Sequence, residues 1–132
     1  MLDRDFERFP GGPNEALQDR LYVTLSPTRN IVINRKVYEQ MGQPSSVRLY
    51  YSRKRDCIGL ERSSGSFNDS FPLMKNGRVG WRISAAPFCR HFNISVETTV
   101  KFLQPEIIGE SLLLNLAETI SVARPKRRRP KK

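Results

Sequence analysis

The chain has 132 residues, a hydrophobic fraction of 38% and a formal net charge of +10, which suits one domain with a modest core. No apolar run approaches the roughly 18 residues that a membrane-spanning helix needs, and Met1-Leu2-Asp3-Arg4-Asp5 does not read as a secretory signal. Two cysteines, Cys57 and Cys89, cannot form a disulfide framework and are expected as reduced core thiols in a cytoplasmic protein.

Residues 1–18 contain Phe9-Pro10-Gly11-Gly12-Pro13, whose prolines and glycines forbid regular structure, so they are read as an arm. From Asp19, Leu21, Val23 and Leu25 alternate with Tyr22, Thr24 and Ser26, the period of a half-buried strand. Ser26-Pro27-Thr28-Arg29-Asn30 is a turn, and Ile31-Val32-Ile33 is a second strand. Asn34 is placed to cap a short helix with Val37 and Met41 on one side. Gly42 suits the left-handed position after that helix, and Pro44 prevents its continuation. Val47, Leu49 and Tyr51 form a third strand, Ser52-Arg53-Lys54-Arg55-Asp56 a charged hairpin turn, and Ile58 and Leu60 a fourth strand.

Residues 63–70 are rich in Ser, Gly, Asn and Asp and read as a linker. The same order then returns. Residues 71–75 form a strand, Asn76-Gly77 is a two-residue hairpin signal, and Val79, Trp81 and Ile83 alternate with Arg78, Gly80 and Arg82. Ser84 would cap a second helix, with Pro87 in its first turn, Phe88 and Phe92 on one face, and Asn93 as the left-handed residue after it. Thr98, Val100 and Phe102 alternate, residues 104–110 are a connection, and residues 111–116 are the last strand. Residues 119–132 are read as a disordered basic tail, in which residues 124–132 offer nothing apolar to order them.

Residues 19–62 and 71–118 thus repeat one pattern. Ile33 and Ile83 lie 50 apart, and Val37, Met41 and Gly42 correspond to Phe88, Phe92 and Asn93 at an offset of 51. One β-β-α-β-β unit leaves strand edges and an apolar face uncovered. A tandem partner covers both at high effective concentration. The expected fold is therefore α+β and mainly β, with two halves packed as a pseudo-symmetric barrel.

The run Val23-Thr24-Leu25 … Asn30-Ile31-Val32-Ile33-Asn34-Arg35-Lys36-Val37-Tyr38-Glu39-Gln40-Met41-Gly42 resembles the AbrB/SpoVT family of bacterial transcription factors and antitoxins. The tandem arrangement is similar to the MraZ family. The resemblance implies a swapped-hairpin barrel and DNA binding. The family's glycine–arginine before the short strand falls on Arg29-Asn30 in the first half and matches Gly77-Arg78 in the second. Its paired helix arginines fall on Tyr38-Glu39 and on Cys89-Arg90, so of those four helix positions only Arg90 carries over.

Arg124, Lys126, Arg127, Arg128, Arg129, Lys131 and Lys132 hold seven of the bases with no acid among them. Residues 29–62 carry eight bases against three acids, and residues 63–123 carry five of each. Such a tail attracts phosphates without reading sequence.

The sequence offers no catalytic set. His91 and Cys89 supply at most two metal ligands and are two apart on a helix, on different faces. Gly11-Gly12 lacks the lysine of a phosphate loop. Glu106 and Glu110 read as a solvated pair in a loop, and Trp81 as a core residue rather than a base-stacking one. The reading is a non-catalytic, cofactor-free bacterial protein that binds DNA or another polyanion as monomer or homodimer, without membrane association. Its expected contacts are Arg29, Arg35, Lys36, Arg53, Lys54, Arg55, Arg78, Arg82 and Arg90, aided by Lys126, Arg127, Arg128 and Arg129. The rival is a protein-interaction scaffold that keeps the barrel and does not read DNA, which Tyr38-Glu39 favours.

Overall fold

The computed structural model describes residues 20–63, 69–78 and 80–122. The arm, residues 123–132 with their basic cluster, residues 64–68 of the linker, and Val79 lie outside the described residues. The described residues are mainly β, with two short helices and two antiparallel sheets. Its first half comprises β1 (Val23–Leu25), β2 (Asn30–Asn34), α1 (Arg35–Gln40), β3 (Ser46–Ser52) and β4 (Cys57–Ser63). Its second half comprises β5 (Phe71–Pro72), β6 (Met74–Asn76), β7 (Gly80–Ser84), α2 (Ala86–Phe92), β8 (Val100–Phe102), β9 (Glu106–Ile108), β10 (Ser111–Asn115) and β11 (Thr119–Ser121).

The first sheet has the order β11-β8-β1-β2-β7-β6, and the second β5-β3-β4-β10-β9. The halves interleave in both. β2 lies against β7, with Ile31 opposite Ile83 and Ile33 opposite Trp81. β1 pairs with β8 and β5 with β3, so the first strand of each half meets the strand that follows the other half's helix. β10 pairs with β4, with Leu112 opposite Leu60 and Leu114 opposite Ile58.

The inward residues of both sheets make one core. Val23, Ile31, Ile33, Ile58, Ile83, Leu112 and Leu114 are fully buried, together with Val37 and Met41 from α1 and its C-terminal turn. Each such side chain stabilises the fold by roughly 1.5–3 kcal/mol relative to exposure. Cys57 and Cys89 are also buried, as free thiols.

Asn34 fixes where β2 ends and α1 begins. Its Oδ1 accepts from the backbone N–H of Val37 at 3.2 Å and from that of Tyr22 at 3.3 Å, and its Nδ2 donates to the Arg20 carbonyl at 2.8 Å. It therefore caps the helix and holds the chain leading into β1. Gly42 at φ +87 and Asn93 at φ +61 both occupy the left-handed region after their helices, as the sequence implies.

Five local readings need correction. Ser84 is not the cap of α2. It is the last residue of β7, opposite Asn30, and the N-cap Ala85 makes no side-chain bond. Pro87 lacks an N–H and so removes one donor that a cap would serve. The expected strand 71–75 divides into β5 and β6, because Pro72 cannot donate to a ladder and the chain crosses between sheets there. The third strand of the second half starts at Val100 rather than Thr98. Residues 104–110 are not a plain connection, because Gly109 at φ +66 turns β9 tightly into β10. Thr119–Ser121, assigned to the tail from sequence, pairs with β8 as β11.

Candidate nucleic-acid interface

The β3–β4 turn and α2 meet through aromatic rings. Phe92 lies 5.2 Å from Tyr51 and 5.2 Å from Phe88, centroid to centroid. The Arg53 guanidinium sits 5.5 Å from the Phe92 centroid, within cation–π range. Alternation explains the contact, since Tyr51 is directly opposite Ile58 on the inward side of β3 and meets the buried face of α2. Arg53, Lys54 and Arg55 are exposed at the turn, and Arg90 and His91 are exposed on the helix.

The single acid of this turn is engaged internally. Asp56 Oδ1 accepts from the Tyr51 hydroxyl at 2.6 Å, which holds the Tyr51 ionisation above its usual value. The solvent side of the cluster is thus cationic. His91 stands edge-on to Phe92 at 4.6 Å.

Arg29 adjoins the start of α2. It adopts φ +65 in the β1–β2 turn, and its carbonyl accepts from the Ala85 N–H at 3.0 Å. Burial pushes the Cys89 thiol up, and the nearby Arg29 charge opposes that shift in part. Arg29 is half-buried rather than fully presented.

Arg78 stands elsewhere. It is exposed in the β6–β7 turn, where its carbonyl accepts from Lys75 Nζ at 3.2 Å. β7 begins at Gly80 opposite Asn34, so Arg78 belongs beside the start of α1 with Arg35 and Lys36. Arg90 follows the other end of β7, five residues or roughly 17 Å away. Arg78 and Arg90, the two positions that best fit the family pattern, therefore flank opposite ends of one strand.

Trp81 packs on the core, as its alternation implies, but is only half-buried. Tyr38 stacks on it, and the Lys75 ammonium is 4.7 Å from its centroid. Glu106 and Glu110 are both exposed, as a solvated pair would be, but Glu106 opens β9 rather than lying in a loop, and Glu110 forms an ion pair with Arg62 at 3.0 Å. Sequence reasoning missed Arg20, Lys75 and Lys101. Lys101 was available as the outward residue between Val100 and Phe102. Arg20 and Lys75 gain their settings only from the fold, over Tyr22 and Trp81 respectively.

Among the described residues no group of three or more His, Cys, Asp or Glu could hold a metal ion, and no helix is long and apolar enough to cross a membrane. No family model, curated protein or solved structure matches the chain.

Proposed function

We propose that this chain is a non-catalytic nucleic-acid-binding protein of transcription-regulator or antitoxin type, acting on duplex DNA in the bacterial cytoplasm. Its scaffold is a swapped-hairpin barrel in which the halves are related by a pseudo-two-fold through β2 and β7. The strand exchanges β1 with β8 and β5 with β3 support that scaffold.

One observation carries the functional reading. Two distant segments, the turn with Arg53, Lys54 and Arg55 and the helix with Arg90, are locked together by the Tyr51–Phe92–Phe88 rings, while the turn's only carboxylate is turned inward to Tyr51. Fixed cations without a competing acid suit phosphate contact. Arg35, Lys36 and Arg78 would form a second contact group at the far end of β7, with Arg29 and Arg82 between the ends and the basic tail adding attraction that carries no sequence information.

The test is duplex binding by Arg53→Ala/Lys54→Ala/Arg90→Ala beside the unaltered protein. Weaker binding with an unchanged melting temperature is expected, since exposed charges contribute little stability. Unchanged binding would remove this cluster from the interface.

A specific observation favours the scaffold as second reading. Tyr38 occupies a position where the family pattern has a helix arginine, and its ring is committed to Trp81. Under that reading duplex DNA binds only through the tail, and deleting residues 124–132 abolishes all binding.

A further inference from the structure

The outer face of the first sheet carries a second cationic surface, made of residues other than the turn–helix cluster. Cross-strand register places Ile120, Lys101, Thr24, Val32, Arg82 and Met74 in one row across all six strands. Opposed residues share a face, and the alternate residues Leu25, Ile31 and Ile83 are the buried ones, so this row points away from the core. Six strands spaced by roughly 4.8 Å make it roughly 24 Å wide. Its ends are open, with Ile120 50% and Met74 40% exposed.

Charge separates this sheet from the other. The six strands of the first sheet contain Lys75, Arg82 and Lys101 and no carboxylate. The strands of the second contain Arg48 and Arg62 balanced by Glu61 and Glu106. Beside the row, Arg20 and Lys101 both approach the Tyr22 ring, at 5.8 and 5.6 Å from its centroid. Among the described residues no acceptor meets the buried Nε of Arg20 or of Arg82. Arg82 Nη2 donates to the Met74 sulfur at 3.6 Å. The face thus combines cations with no carboxylate partner among the described residues, planar guanidinium and phenol groups, and apolar ends.

We infer that the outer face of the first sheet binds single-stranded nucleic acid, laid across the strands from Lys101 to Arg82. A single strand can lie flat on a sheet with its bases against planar and apolar side chains and its phosphates on the cations. A duplex presents its grooves to protruding elements, which here are the turns and helices. This deepens the nucleic-acid reading and assigns a different strand form to a different surface.

The experiment compares labelled oligothymidylate with a duplex of equal length, by fluorescence anisotropy on the full chain. Lys101→Gln should weaken oligothymidylate binding several-fold and leave duplex binding unchanged. Arg53→Gln/Lys54→Gln should do the reverse. Thr24→Glu, which sets a carboxylate in the middle of the row, should act like Lys101→Gln and carries the test if Lys101→Gln does not fold. Oligothymidylate binding that survives these changes, or that falls equally with duplex binding, overturns the inference. An unaltered protein that binds duplex but no single strand overturns it while leaving the duplex reading intact. One that binds neither overturns both.

Discussion

Tyr38 of α1 and Trp81 of β7 stack with ring centroids 3.7 Å apart and planes 11° apart, so one aromatic pair joins the first half of the chain to the second. Tyr38 fills one indole face, which leaves the other for the Lys75 ammonium at 4.7 Å. Nearly eclipsed rings are not the geometry their quadrupoles prefer, and a cation on the opposite face adds the attraction that the stack lacks. A double-mutant cycle of Tyr38→Ala and Trp81→Ala, followed by urea unfolding, should give a coupling of about 0.5–1.5 kcal/mol. A coupling near zero would mean that the rings are neighbours without mutual stabilisation.

The interleaved sheets make the halves interdependent. Residues 1–65 alone would lose β6, β7, β8 and β11 from the first sheet, and β5, β9 and β10 from the second. The expected outcome is a fragment that dimerises, aggregates or stays unfolded, read by sedimentation and circular dichroism. A folded monomer would contradict the strand exchange on which the barrel rests.

The two helix ends predict opposite responses to glycine and alanine. Asn93 already sits at φ +61, so Asn93→Gly should be neutral or stabilise by a few tenths of a kcal/mol, while Asn93→Ala should cost about 1 kcal/mol. At Gly42, φ is +87 and an added Cβ would lie 2.6 Å from Arg62 Nη1 and 2.8 Å from Glu110 Oε2. Those atoms are side-chain tips that can move, so the backbone conformation sets the penalty. Gly42→Ala should cost about 1–2 kcal/mol and displace the Arg62–Glu110 pair. Thermal unfolding of the three variants checks the ranking.

Alkaline pH tests the inward engagement of Asp56. Tyr51 donates to Asp56 and Tyr50 to Glu61, each at 2.6 Å, and these bonds hold both phenols above the usual 10.0. Only the protonated phenol can donate. The contribution of each bond to stability is therefore complete below about pH 10, where unfolded tyrosine is still protonated, and is lost as pH rises through the higher folded value. Ultraviolet titration should show a late phenolate phase that shrinks in Tyr51→Phe and again in Tyr50→Phe. The absence of any late phase would contradict both bonds.

The first half was legible because its signals are local. Strand alternation, the Asn34 cap and the residue at Gly42 are each decided within a few positions. The second half was less so. β9 has three residues with only Ile107 turned towards the core, too short a run for alternation to register, and its turn glycine, Gly109, was read as part of a loop. No local pattern announces that β8 joins β1 and not β10, because that choice is settled by packing between distant segments. The site divides in the same way. Arg53-Lys54-Arg55 was visible as a charge run, whereas its union with Arg90 through Tyr51 and Phe92 required the fold. Arg29, expected as a free contact, is half-buried because the chain at α2 packs against its turn.

The most direct test of the account is duplex DNA affinity of the full chain measured across a range of salt concentrations. Binding should weaken linearly on logarithmic axes, with a slope of about −0.9 for each phosphate neutralised. Deleting residues 124–132 should flatten that slope by several phosphate-equivalents, and the remaining dependence should fall again in Arg53→Ala/Lys54→Ala/Arg90→Ala. The account predicts a graded loss in which the body of the protein retains affinity without its tail. No binding at low salt, or a slope that neither change alters, would contradict it.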